Sequence, residues 1–197
     1  MRVLVACEYS GKVREAFRAL GHDAYSCDLL PADDNSPHHF EGDCWPVIEK
    51  GWDLIMMHPP CTALAVSGNA HYGTGMAKNA MRHEAIKWTM SLYDHAKKHA
   101  DKVAFENPVG VLPIKPTQYV QPYEYGHSES KKTGLWLHNL PPLKPTNIVE
   151  KPECGYWDNQ TPSGQNKLGP SADRWKIRSE TYQGIADAIA DQWGGAA

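Results

Sequence analysis

Two residues stand where an α/β sheet does its chemistry. Cys61 follows Asp53-Leu54-Ile55-Met56-Met57-His58-Pro59-Pro60, an apolar run halted by two prolines. Such a run suits a buried parallel strand. Each proline fixes its own φ and pushes the residue before it out of the helical region. The chain therefore leaves the strand in a rigid loop that presents a thiol at the strand's carboxyl end, the edge where open α/β sheets bind ligands. Glu106 stands in a second run stopped by proline, Phe105-Glu106-Asn107-Pro108. A thiolate is a nucleophile. A carboxyl between apolar residues and a proline is partly desolvated, which predicts a raised pKa and a useful acid form. Together they make a site hypothesis stronger than a lone cysteine, which is more often an inert core residue.

The elements that must position these groups alternate along the chain. The pattern predicts strands over residues 2–6, 24–27 (ending in Asp28), 52–57, 102–106 and 134–137. A helix is predicted over 12–20, with Val13, Ala16, Phe17 and Leu20 on one face, Ser10 as its N-cap and Gly21 as its stop. A second is predicted over 79–98 with Met81, Ala85, Trp88, Leu92 and Ala96 inward, and a third over 182–193 with Tyr182, Ile185, Ile189 and Trp193 on one side. Residues 31–40 read as loop, and 67–75, rich in small residues, as a mobile loop. Alternation of this kind implies an α/β fold with a mostly parallel sheet and helices on both faces. No linker divides the chain, so residues 1–197 are read as one domain, with 144–176 an irregular basic and aromatic segment.

Composition narrows the function classes. The 197 residues are 41% hydrophobic and 22% charged, as in ordinary globular domains. No run is long enough to span a membrane and no secretory signal pattern is present, so no membrane partner is expected. Five scattered cysteines fit a reducing cytoplasm. A net charge of −3 argues against a basic nucleic-acid coat, yet residues 131–178 hold eight basic and four acidic side chains. One side could therefore meet a polyanion. The ten histidines show no ligand-like partnership with cysteine and there is no Cys-x-x-Cys, so no metal site is expected.

The first strand–turn–helix unit, Val5-Ala6-Cys7-Glu8-Tyr9-Ser10-Gly11, has one glycine where a dinucleotide fingerprint needs three. Asp28 at the end of the second strand suits ribose hydroxyls. Asp43, after Gly42, could accept from an adenine amino group; for either aspartate alone, a cap or turn role competes.

With these motifs in place, the chain resembles a DNA cytosine-5 methyltransferase of the small phage type. Pro59-Pro60-Cys61 matches the family's nucleophile motif, Glu106-Asn107 with Pro108-Val109 its Glu-Asn-Val motif, and Gly11, Asp28 and Gly42-Asp43 its cofactor motifs. The likeness covers roughly residues 1–137, and 184–190 resembles the last motif more loosely. It implies a Rossmann-like methyltransferase fold with S-adenosylmethionine as cofactor, held by Tyr9, Ser10, Gly11, Asp28, Asp43 and Pro59. It also implies attack of Cys61 on C6 of a cytosine flipped from duplex DNA, with Glu106 at N3. The 67–75 loop would close over DNA, and Pro60, Thr62 and Asn107 would face the substrate. The setting implied is a phage or bacterial cytoplasm.

The sequence departs from that pattern at several places. Glu8-Tyr9-Ser10-Gly11 replaces a glycine-rich loop, His58 stands where glycine usually precedes Pro-Pro, and Ile185 replaces a cofactor-contacting asparagine. The family's Gln-x-Arg-x-Arg element is missing, and Lys132 is the nearest substitute for a base-contacting arginine. No large target-recognition domain is present. In its place lies the 144–176 segment, whose Arg174 and Lys176, beside Trp175, are the candidates for DNA contact. A surface so small implies a very short recognition context. The rival readings are a transferase of another C5 group or of free nucleotides, and a non-catalytic nucleic-acid-binding protein.

Overall fold

A computed structural model of the chain describes residues 1–195. Seven strands form one sheet in the order β3-β2-β1-β4-β5-β7-β6. They are β1 (Arg2–Ala6), β2 (Asp23–Asp28), β3 (His39–Glu41), β4 (Leu54–Met57), β5 (Lys102–Pro108), β6 (Gln118–Val120) and β7 (Thr133–His138). The first five are parallel, whereas β7 runs antiparallel to both β5 and β6. The protein is thus α/β with a mostly parallel seven-stranded sheet.

The apolar runs explain the layers. Val3 to Ala6 and Leu54 to Met57 are all fully buried, because helices cover both faces of the central strands. Val3, Val5, Leu54, Met56 and Ala104 pack with Val13 and Phe17 of α1 (Lys12–Ala19) and with Ile185, Ile189 and Trp193 of α6 (Gln183–Gly194). Leu4, Ala6, Ile55, Met57 and Phe105 pack on the other face with Ile48 of α2 (Trp45–Ile48) and Leu92 and Ala96 of α4 (Asn79–His99). No described helix is long and apolar enough to cross a membrane.

Several expectations need correction. Gly11, not Ser10, caps α1, with φ 72°. The orphan amides of Val13 and Arg14 are satisfied by the buried carboxylate of Glu8, at 2.7 and 3.3 Å, a stronger acceptor than a serine hydroxyl. Leu20 lies beyond the helix and is exposed. The inward stripe of α4 runs through Arg82, Thr89, Leu92, Tyr93 and Ala96, while Met81 is exposed. Residues 39–41 form the edge strand β3 within the expected loop, and β6 lies in a stretch with no strand pattern.

The segment after Cys61 is no open loop. It holds a helical turn at Val66–Gly68 and α3 (Asn69–Tyr72). Arg82 is its anchor: the guanidinium, almost wholly buried, donates to the carbonyls of Ala63 (2.7 Å) and Ala65 (3.2 Å) and to Asn69 Oδ1 (2.8 Å). The Val66 amide also donates to Val109 O, and that of Val111 to Leu64 O, tying the segment to the chain leaving β5.

Candidate functional site

Chain order reverses between β1 and β4: β2 and β3 lie to one side, β5 and its antiparallel neighbours to the other. Crevices outside the carboxyl ends at such a switch point are where open sheets bind ligands. A cleft of about 1050 Å³ opens here. Its floor is Cys7 to Ser10 after β1, Asp28 at the end of β2, the loop His58 to Thr62 after β4, and Glu106 to Val109 at the end of β5. Its far wall is residues 129–132 and the chain through α5 (Arg174–Ser179) to Tyr182.

Asn107 holds the Pro59-Pro60-Cys61 loop in place. Its Nδ2 donates to Pro59 O at 2.9 Å, and the side chain is buried, so it fastens the Pro-Pro turn to β5 from beneath. The Leu64 and Ala65 amides both donate to Cys61 O at 2.9 Å, closing the turn on the other side. Burial and the charge of Glu106 push the Cys61 thiol up, against the lowering influence of Lys131 and Arg178. At neutral pH the resting group is therefore the thiol, and attack requires that its proton be taken.

Glu106 behaves differently from the sequence expectation. Burial does push its carboxyl up, but His58 Nδ1 lies 3.3 Å from Oε2, and the hydrogen bond it donates, with the charge of Lys131, outweighs burial and holds the pKa below the ordinary glutamate value. His58, just before the two prolines, is thus the partner of the carboxyl. His58 is itself seated by its backbone amide, which donates to Ala6 O at 2.9 Å.

The lysine whose charge acts on the carboxyl is Lys131, not Lys132. Lys131 Nζ donates to Glu180 O at 3.1 Å, and its charge acts on both Glu106 and Cys61. Lys132 lines the cleft, but its Nζ sits over the Tyr119 ring, 4.3 Å from the centroid.

The expected cofactor residues divide. Tyr9, Ser10, Asp28 and Pro59 line the cleft. Asp28 is half-buried, which raises its pKa, and it accepts from the Leu30 amide at 2.9 Å. Gly11 lies beneath, where a Cβ would run into the Arg14 guanidinium. Asp43 is not among the lining residues; it accepts from the Trp45 amide at 3.2 Å at the start of α2, the turn-forming role. Pro60, Thr62 and Arg174 line the cleft, whereas Lys176 is turned away into an ion pair with Asp33 at 2.6 Å. Ile185 is in the core.

Ser179 and Glu180, which sequence reading missed, complete the wall. The Tyr9 and Ser179 hydroxyls share a hydrogen bond (2.8 Å), Glu180 pairs with Lys12 (2.8 Å), and Trp175 lies against Tyr9. Trp157 does not face a ligand: it is buried and stacks on Tyr123 at 4.5 Å, while Asn159 exchanges two hydrogen bonds with the Ser130 backbone. Trp157 thus anchors a segment, 144–176, that is otherwise mostly exposed. No known family model matches the chain, and no curated protein matches it.

Proposed function

We propose that the protein is a DNA cytosine-5 methyltransferase with a Rossmann-like methyltransferase fold, acting with S-adenosylmethionine on a cytosine flipped out of the duplex. One observation carries the reading: a thiol (Cys61) and a carboxyl (Glu106) at the ends of neighbouring strands face one cleft at the switch point of the sheet.

The donor side suits a positively charged ligand. In a dinucleotide site the first helix N-terminus receives a pyrophosphate; here the amides of Val13 and Arg14 are already taken by Glu8. A buried carboxyl at that end of β1, with Asp28 at the end of β2, favours a cation carrying ribose hydroxyls over a phosphate. When bound, S-adenosylmethionine supplies an electrophilic methyl group on a sulfonium. Tyr9, Ser10 and Pro59 form the walls around it.

On the substrate side Glu106, ionised at rest, takes the Cys61 proton as Sγ bonds to C6 of the ring, and passes that proton to N3. The electron pair displaced from the C5–C6 bond makes C5 nucleophilic, and C5 accepts the methyl group. Loss of the C5 proton to solvent then expels sulfur from C6, and N3 gives back its proton. His58 and Lys131 keep Glu106 charged until the ring arrives. The limited cover beside the cleft supports a recognition context of dinucleotide scale or less.

A second reading is a transferase acting on free cytidine nucleotides, favoured by α5 forming one wall of the cleft. Trapping separates the two. Duplex DNA containing 5-fluorocytosine, with S-adenosylmethionine, is expected to give an adduct mapping to Cys61. An adduct with the free 5-fluorinated nucleotide alone supports the second reading, and no adduct with either overturns both.

A further inference from the structure

The last turns of α4 carry His95 and His99, a four-residue spacing that places both rings on one side of the helix. Their centroids are 4.6 Å apart. Glu49, immediately after α2, reaches the same point, with Oε1 3.3 Å from His95 Nε2. One ligand atom from each of the three side chains lies within 4.8 Å of the others. The Trp45 ring rests against His95 at 4.8 Å and limits its rotation.

The His95–Glu49 contact is not an ordinary hydrogen bond. His95 Nε2 is closed off from solvent and has no hydrogen-bond partner: the carboxylate oxygen is near but off the line an N–H would need. The distance has another meaning. Two ligands at ~2.1 Å around a tetrahedral zinc ion stand roughly 3.4 Å from each other. All three ligand atoms lie within 4.8 Å of one another, and the remaining closure on an ion takes side-chain rotation.

We propose that Glu49, His95 and His99 form a binding site for a first-row divalent cation, zinc by preference, which clamps α2 to the carboxyl end of α4. Two imidazoles and a carboxylate suit zinc, cobalt or nickel, whereas magnesium and calcium require mostly oxygen ligands. The helix carboxyl end adds negative potential. Two nearby lysines are engaged elsewhere: Lys97 with Asp94 at 2.7 Å, and Lys50 over the Phe40 ring. Three protein ligands leave a position for water. None of the three lines the cleft, so the site stands apart from what Cys61 does.

The test uses the full chain with zinc alone. Calorimetry is expected to show one zinc per chain, with a rise in Tm that magnesium does not reproduce. His95→Ala and His99→Ala should each weaken zinc by at least about tenfold, the lower range found even for residues that only support a metal ligand; Cys154→Ser should leave it unchanged. Cobalt(II) should give visible bands without thiolate charge transfer. Absence of zinc-specific binding overturns the site, as does an affinity unchanged from that of the unsubstituted protein in both histidine variants, or a thiolate band that survives in them. Should a histidine variant fail to fold, Glu49→Gln, at an exposed position, decides: unchanged affinity there overturns the site equally.

Discussion

His58 Nδ1 and Glu106 Oε2 lie 3.3 Å apart across the ends of neighbouring parallel strands. That contact decides which way a buried carboxyl leans. Burial alone would favour the acid form, yet the histidine and Lys131 leave it ionised. In His58→Gly burial regains weight, so Glu106 moves up and stays protonated to higher pH. The limb of the kcat/KM profile governed by this carboxyl should move to higher pH, because a hydrogen bond that favours its ionised form is lost. A profile that does not move would show that His58 has no hold on Glu106.

Lys131 and Lys132 are neighbours with different surroundings. Lys131→Ala removes a cation that acts on both Cys61 and Glu106, whereas Lys132→Ala removes one parked on Tyr119. Steady-state kinetics should give a loss in kcat of about 10- to 100-fold for the first, as for removal of one stabilising charge, and much less for the second. Equal losses would return the base-contacting role to Lys132.

The Cys61 thiol is pushed up by burial and by Glu106, and Cys154 is exposed. In the free protein at pH 7.5, iodoacetamide should therefore label Cys154 well before Cys61. The Cys61 rate should keep rising above pH 9 as the thiolate appears. Peptide mapping by mass spectrometry reads both rates, and preferential labelling of Cys61 would mean that it rests as a thiolate.

Legibility followed how local the determinants were. β1, β4 and β5 were readable because they are unbroken apolar runs, two of them stopped by proline. The edge strands β3 and β6 are three residues each and only partly buried, so neither alternation nor a full apolar run marks them. α5 escaped because Trp175 and Ile177 are both exposed and the helix has no inward face. The acidity of Glu106 was misjudged because burial can be guessed from its neighbours in sequence, while its partner is 48 residues away. Cys61 and Glu106 were legible as a pair; His58 and Lys131 as their supports were not.

Arg82 shows the same remoteness, since the small residues after Cys61 give no hint of a guanidinium arriving from α4. Arg82→Ala leaves the carbonyls of Ala63 and Ala65 and the Asn69 side chain without this donor. It should cost about 3 kcal/mol in urea unfolding. Amide exchange should rise across residues 63–72 before it rises in the sheet. Exchange spread evenly over the chain would argue that Arg82 supports the core rather than this segment.

Of the seven tryptophans only Trp175 is exposed, and it lies on the cleft wall with its ring 6.1 Å from that of Tyr9. The molecule thus carries its own optical reporter. A ligand entering beside Tyr9 should change the emission of a single indole against a background of shielded ones, so that titration of unlabelled protein with S-adenosylmethionine reads occupancy directly. Trp175→Phe should silence that signal while leaving the emission of the buried indoles in place.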